Sequence, residues 1–478
     1  MVNFTPLSQH IVEVAMQSKQ IDTIVRGGTV VTPAGIAVQD IALSNGKIVD
    51  LGEAITSSAP SELDARGLLV LPGGVDTHCH IEQMSGAGLM NADTFRTATR
   101  SAAMGGTTTT VSFAAQHAGQ KMRQVVSDYA TLAEKGAVID HAFHMIVADT
   151  GNGNLTEDIP ALIAEGHRSI KIFTTYAKVR QDDKSILDIL ALARDAGAMV
   201  CFHAENDGLI GHMTEKLLAE GRTAPKYHAE SHPRAAEIEA IDRMCRFAEF
   251  TGARIMIFHV STREGAEIVR QARARGVMVQ AETCPHYLFM TVDILERDNP
   301  ARFMCSPPQR SPDDQEALWD AIADGTIELV TSDHAPYRLD ASGKFAHSED
   351  APFNQIANGM PGLETRLPLM FNAMVSEGRM GVEAFAQLTA TAPARAFGLD
   401  SKGAIAKGLD ADLAIWDPEV SYTYGPNDLH DNTGYNPFED TTIKGMPRHV
   451  FSRGEMLVRD RRLVTEAPRG RWLPMNAR

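Results

Sequence analysis

Short apolar runs, each followed by a stretch with apolar residues at helical spacing, recur along the chain from about residue 70 to residue 400. The runs fall at 68–71, 107–113, 141–148, 169–174, 198–203, 254–259, 277–282 and 327–331. Between them, segments such as 122–135, 185–196 and 264–275 carry apolar residues three and four apart, with charged or small residues elsewhere, which predicts amphipathic helices. Alternating strands and helices imply parallel strands joined by crossovers. Eight such strands predict an α/β fold of the (β/α)8 TIM-barrel type, with its chemistry at the C-terminal ends of the strands. An open doubly wound sheet is the alternative, but no Gly-x-Gly-x-x-Gly turn follows the first strand, as that architecture usually requires.

Both ends of the chain follow another rhythm. From Asp22 to Leu71, short strand patterns at 24–31, 41–43 and 46–49 are separated by turns too close together for a helix of ordinary length. Strand patterns return at 408–416 and 447–451. Two strand-rich ends flanking a different middle predict a small β-sandwich built from both termini. The expected layout is an extension over 1–21, the first sandwich part over 22–70, and the barrel over 71–400. The second sandwich part spans 401–465, and a tail covers 466–478. The first twenty residues would be either a helical arm at a subunit interface or disordered.

Composition narrows the class. The 478 residues are 44% hydrophobic and 22% charged, with a net charge of −16, so a large soluble core is expected and a nucleic-acid partner is not. No apolar run approaches the length of a membrane span, and no signal peptide opens the chain. Five cysteines are scattered without a Cys-x-x-Cys pair, the pattern of reduced thiols in a cytoplasmic protein.

The candidate chemistry sits where the apolar runs end. The first strand leads through Pro72-Gly73-Gly74 into His78-Cys79-His80, whose two imidazoles point to the same side because side chains alternate along a strand. The fourth carries Lys171 between bulky apolar residues; the fifth ends at His203-Ala204-Glu205, the sixth at His259, and the eighth at Ser332-Asp333-His334. Read singly, each has a bland role: hydrogen-bonded histidines, a lysine snorkelling to the rim, an aspartate capping the next segment. Five strand ends of one barrel presenting such residues together point instead to a metal centre. An ordinary lysine, with a pKa of about 10.4, would be a cation repelled by metal. As a carbamate formed with carbon dioxide, Lys171 becomes an anionic bridge between two divalent ions.

The ordered set of motifs resembles the amidohydrolase superfamily, and within it the hydantoinase/dihydropyrimidinase family, from about Asp22 to Arg462. The matching points are Gly74-Val75-Asp76-Thr77-His78-Cys79-His80, Met104-Gly105-Gly106-Thr107, Lys171 with Tyr176, and His203-Ala204-Glu205-Asn206. Further along they are Cys284-Pro285-His286-Tyr287, Ser306-Pro307-Pro308, Ser332-Asp333-His334-Ala335-Pro336 and Asn358-Gly359-Met360-Pro361-Gly362. The resemblance implies that His78, His80 and Asp333 hold one metal, that His203 and His259 hold the other, and that carboxylated Lys171 bridges them. Zinc is the first expectation for both ions, with manganese or cobalt after it. It also implies that Tyr176 stabilises an oxyanion, that Asp333 shuttles the proton, and that Ser306 and Asn358 bind substrate amide groups. The implied reaction opens a hydantoin- or dihydropyrimidine-like ring to an N-carbamoyl amino acid, in a homotetramer. Alternatives are hydrolysis of another amide, such as a cyclic imide or allantoin, and a non-catalytic scaffold related to dihydropyrimidinase.

The sequence departs from the family pattern in two places. Glu82-Gln83-Met84-Ser85 replaces the common Asp-Met-Pro, and Ala335 stands where many hydantoinases have cysteine. Facing the substrate, Glu82 would repel an anionic ring such as dihydroorotate.

Overall fold

A computed structural model describes residues 21–86 and 88–478; the arm or disorder expected of the first twenty residues lies outside them. The terminal strands are β1 (Thr23–Thr32), β2 (Gly35–Ser44), β3 (Lys47–Gly52), β4 (Ser61–Asp64) and β5 (Leu69–Pro72). The barrel strands are β6 (Gly74–Cys79), β7 (Thr107–Ala115), β8 (Asp140–Ile146) and β9 (Ser169–Phe173). They continue as β10 (Met199–His203), β11 (Ile255–Ile257), β12 (Val279–Thr283) and β13 (Leu329–Val330). The chain returns to the terminal sheet with β14 (Leu413–Thr423), β15 (Thr442–Ser452), β16 (Glu455–Arg459) and β17 (Arg462–Leu463).

The fold class read from the sequence holds. Strands β6 to β13 pair in chain order, all parallel. The ring closes where the His80 amide donates to the His334 carbonyl at 2.7 Å and the Ser332 hydroxyl donates to the His78 carbonyl at 3.1 Å. Strands covered on both faces are buried along nearly their whole length, so most read as largely apolar runs, although β7 opens on four threonines at 107–110 and β12 carries Gln280 and Glu282. Ladders β11 and β13 are shorter than those runs. The backbone leaves the ladder just before His259 and Asp333, which adopt left-handed conformations with φ of 41° and 44°.

Helices pack outside the barrel, and their ends follow ordinary capping rules. In Asp183–Ala196, the Asp182 carboxylate accepts from the Ser185 amide at 2.7 Å and Gly197 ends the helix at φ 70°. Fully burying a Val, Leu, Ile or Phe side chain contributes about 1.5–3 kcal/mol, so the contiguous core around the barrel dominates stability. A second core, including Val30, Ile41, Val70, Leu413 and Ile415, belongs to the terminal strands.

Those strands form one nine-stranded sheet. Its seam is β5, which lies between β1 from the start of the chain and β14 from the end, and which leads directly into β6. The terminal sheet therefore fixes the approach to the His78-Cys79-His80 strand. β4, the β16–β17 hairpin and the outer part of β14 escaped the sequence reading because exposed positions interrupt their apolar pattern.

The tail is strapped across its own barrel. The amides of Gly470, Leu473 and Met475 donate to the carbonyls of Ala137, His141 and Gly166 at 2.8–2.9 Å, and Asn476 donates to Gly398 at 3.0 Å. Among the described residues, no helix is long and apolar enough to cross a membrane.

Candidate active site

One cavity of about 420 Å³ opens at the C-terminal ends of the barrel strands. Its wall includes every site residue singled out in the sequence: His78, His80, Lys171, Tyr176, His203, His259, Ser306, Asp333 and Asn358. Strand periodicity explains the convergence. In the β9–β10 ladder Lys171 faces Cys201 and Phe173 faces His203, so alternate residues of both strands share the inward side.

Asp333 Oδ1 lies 3.1 Å from His78 Nε2 and 3.5 Å from His80 Nε2, close enough for these three groups to share one ion. Across the cavity the His203 and His259 rings are 4.6 Å apart between centroids, and the His78 and His259 rings 5.4 Å. Lys171 Nζ is buried at the wall of the same cavity without a hydrogen-bond partner, 4.0 Å from the Phe258 ring centroid. Burial pulls its amine down to about 8. Burial also lowers His259, aided by the positive charges of His203 and Lys171, and so keeps its imidazole neutral. At Asp333 burial opposes ionisation, but His78 and His80 outweigh it and hold the carboxyl well below the usual range.

The donor set fits a pair of divalent cations. Burial keeps His80, His203 and His259 neutral and Asp333 is ionised, the protonation states that metal binding requires; at His78 burial is outweighed by Asp333 and Glu282, which raise it, so an arriving ion would displace a proton there. An unpaired amine buried among aromatic rings is costly unless it is converted into a ligand. Three of the residues at the cavity, Tyr176, His259 and Asp333, have left-handed backbones with φ of 69°, 41° and 44°. Such conformations cost on the order of 1–3 kcal/mol each and persist where the surrounding fold aims a side chain.

Behind these residues lies a set of partners that the sequence reading gave no role. His78 Nδ1 donates to Glu282, and His80 Nδ1 donates to Gln83 Oε1 at 2.7 Å. His203 Nε2 donates to Glu205 Oε2 at 2.8 Å, and the other Glu205 oxygen accepts from His232 Nδ1 at 2.9 Å. These bonds fix the tautomer and turn the opposite ring nitrogen toward the cavity. An acidic residue inside a fully buried strand was the available signal for Glu282, and the His203-Ala204-Glu205 spacing was the signal for Glu205.

A second cluster, Asp93, His334 and Asp431, lies close enough to suggest another ion. His334 Nδ1 accepts from the Gly362 amide at 3.0 Å, so Nε2 carries the proton and donates it to Asp93 at 2.9 Å. The imidazole has no lone pair left for a metal.

The substituted loop corrects one expectation. Glu82, with φ 50°, turns away from the cavity and accepts from the Phe95 amide at 3.0 Å at the start of the helix Phe95–Met104. It does not line the cavity, whereas Gln83, Met84 and Ala335 do, so the repulsion expected against an anionic ring has no basis here. Asn358 Nδ2 donates to Ser306 Oγ at 3.0 Å, leaving Asn358 Oδ1 buried and unpartnered at the cavity wall.

A parallel eight-stranded barrel with four histidines, a lysine and an aspartate at its strand ends defines a metal-dependent hydrolase of the amidohydrolase class. The amidohydrolase family profile matches residues 69–457. The D-hydantoinase of Ralstonia pickettii is 38% identical over 457 residues, 95% of this chain and 98% of that protein. The D-hydantoinase of Rhizobium radiobacter is 38% identical over 92% of this chain and 95% of its own length. The dihydropyrimidinase structure from Brevibacillus agri NCHU1002 superposes with a TM-score of 0.92 at 34% identity, covering 95% of this chain and 99% of that one. The chain belongs to the amidohydrolase superfamily, in its hydantoinase/dihydropyrimidinase family.

Proposed function

We propose that this enzyme opens the C–N bond of a hydantoin- or dihydropyrimidine-like ring, giving an N-carbamoyl amino acid. The observation that carries the reading is Lys171: an amine without a hydrogen-bond partner, on the wall of one cavity with His78–His80–Asp333 and His203–His259. His78, His80, Asp333, His203 and His259, with Lys171 once carboxylated, would hold two divalent ions, zinc before manganese or cobalt, which would supply Lewis acidity and an ionised water. Asp333 takes the proton and delivers it to the departing nitrogen. The Tyr176 phenol, kept protonated because burial raises its pKa, donates to the oxygen that becomes negative. Ser306 and Asn358 hold the ring's amide groups, with Asn358 Oδ1 free to accept an N–H.

In this reading residues 71–400 are the catalytic barrel, 22–70 and 401–465 its support, and 466–478 a tail. The working form is a cytoplasmic homotetramer. The test is metal analysis followed by a substrate panel on metal-reconstituted protein, monitoring ring absorbance with dihydrouracil, 5-substituted hydantoins, succinimide and allantoin. Two ions per chain and turnover of the first two are expected. Turnover of succinimide or allantoin alone moves the specificity to those rings, and a metal-free, inactive protein leaves the scaffold reading.

A further inference from the structure

Three lysines of the described chain are fully or almost fully buried: Lys171, Lys344 and Lys402. Lys171 belongs to the candidate metal centre, and Lys402 is surrounded by aspartates. Lys344 has neither role. It is 0% exposed, so it cannot snorkel to water, and no carboxylate pairs with it. Its amine donates only to two backbone carbonyls, Ala357 at 2.8 Å and Met304 at 3.3 Å. Burial pulls it down to about 7. Whether charged or neutral, an amine buried without a counter-charge costs more than an apolar side chain of the same shape. Packing alone therefore does not account for it.

The two carbonyls locate its role. Met304 lies two residues before Ser306, and Ala357 one residue before Asn358. The segments that carry the two ring-holding side chains belong to separate loops, and no strand ladder joins them. What joins them is a small set of bonds: Lys344 to both carbonyls, the Gly359 amide to the Met304 carbonyl at 2.8 Å, and Asn358 Nδ2 to Ser306 Oγ at 3.0 Å. Gly359 also lets its segment lie against a third loop, since at φ 142° a Cβ there would meet the Ala335 carbonyl oxygen at 2.3 Å. Lys344 is itself held by its own turn, where its amide donates to the Arg338 carbonyl at 2.7 Å.

We propose that Lys344 is a positioning residue for substrate binding: its Nζ, donating to both, holds the Met304 and Ala357 carbonyls to one point and so sets the spacing between Ser306 and Asn358. This rests on the reading of Ser306 and Asn358 as the residues that hold the ring. An apolar replacement leaves the metal centre intact but lets the two loops part, so the loss falls on KM rather than on kcat.

The test uses Lys344→Met and Lys344→Gln in the metal-loaded full chain. The expected result for Lys344→Met is a KM raised about tenfold or more, kcat within about threefold of wild type and an unchanged metal content; Lys344→Gln, which keeps one donor group, falls between. Hydrogen exchange should quicken about tenfold or more in segments 304–309 and 354–361 and nowhere else. An unchanged KM overturns the proposal. So does a kcat that falls in step with metal content, or the failure of both variants to fold, either of which would make Lys344 a support of the centre or of the core. If the wild type opens none of the rings in the panel, the proposed reaction fails, yet exchange still judges the clamp: local quickening supports it and none overturns it.

Discussion

At the mouth of the barrel Lys171 is buried with three aromatic rings near its amine and no hydrogen-bond partner. At the opposite end, Lys402 is buried with Nζ 2.7 Å from Asp140, 2.7 Å from Asp412 and 3.1 Å from Asp410. Burial acts on both in the same direction, toward the neutral amine. The aspartates reverse it at Lys402, whose pKa is raised, while nothing sufficient does so at Lys171, which falls to about 8. Asp140 begins β8, and Asp410 and Asp412 precede β14, so Lys402 rivets the barrel floor to the terminal sheet. One end of the barrel completes its electrostatics within the fold, and the other leaves them open for ligands. This is the division between a stability face and a catalytic face expected of such barrels.

Three substitutions challenge that contrast. Lys171→Ala should remove activity by at least ~10³-fold and take the bound metal with it. Losing a costly unpartnered amine and opening a cavity act in opposite senses, so the apoprotein should melt close to wild type. Metal analysis and calorimetry check this, and partial rescue by short-chain acids would identify the missing carboxylate. An active, metal-loaded Lys171→Ala protein would break the comparison at the mouth. Asp333→Ala should lower kcat by roughly 10²–10⁴-fold with a much smaller change in KM, read from steady-state kinetics.

Lys402→Met should act in the opposite sense. It leaves Asp412 without a cation, and Asp140 and Asp410 with only Arg453 and Lys47, costing about 3–5 kcal/mol in urea unfolding while the folded fraction keeps its kcat. The pH profile sharpens the point. Burial opposes ionisation of Asp410, and the charges of Lys402 and Lys47 overcome it and lower the carboxyl. Its share of stability is therefore present above about pH 4 and lost as pH falls through the lowered folded value. Lys402→Met should flatten that acid limb; an unchanged limb would show that Lys402 does not hold Asp410.

The mouth was more legible in the sequence than the floor, for a physical reason. Doubly covered parallel strands are mostly apolar, so histidines and an acid at the ends of the runs, His78, His203, His259 and Asp333, stand out as cavity-facing. Residues that act through pairing carry no such local mark. His78 and Glu282 are 204 positions apart, and Lys402 and Asp140 are 262 apart; nothing near either partner announces the other. Glu82 was misplaced because its position two residues after His80 was read as substrate-facing from the family pattern, whereas at φ 50° the backbone turns its carboxylate to the Phe95 amide. Lys344 gave no signal at all, since a lysine in a polar loop reads as solvated until its burial is seen.

The strap formed by residues 470–476 has a practical side. It finishes beside the starts of the barrel strands, where Arg478 bonds to the Arg395 carbonyl and pairs with Asp400. A linker fused after that residue would leave from the floor, so protein tethered to a bead or chip through it would present its open end to the passing solution.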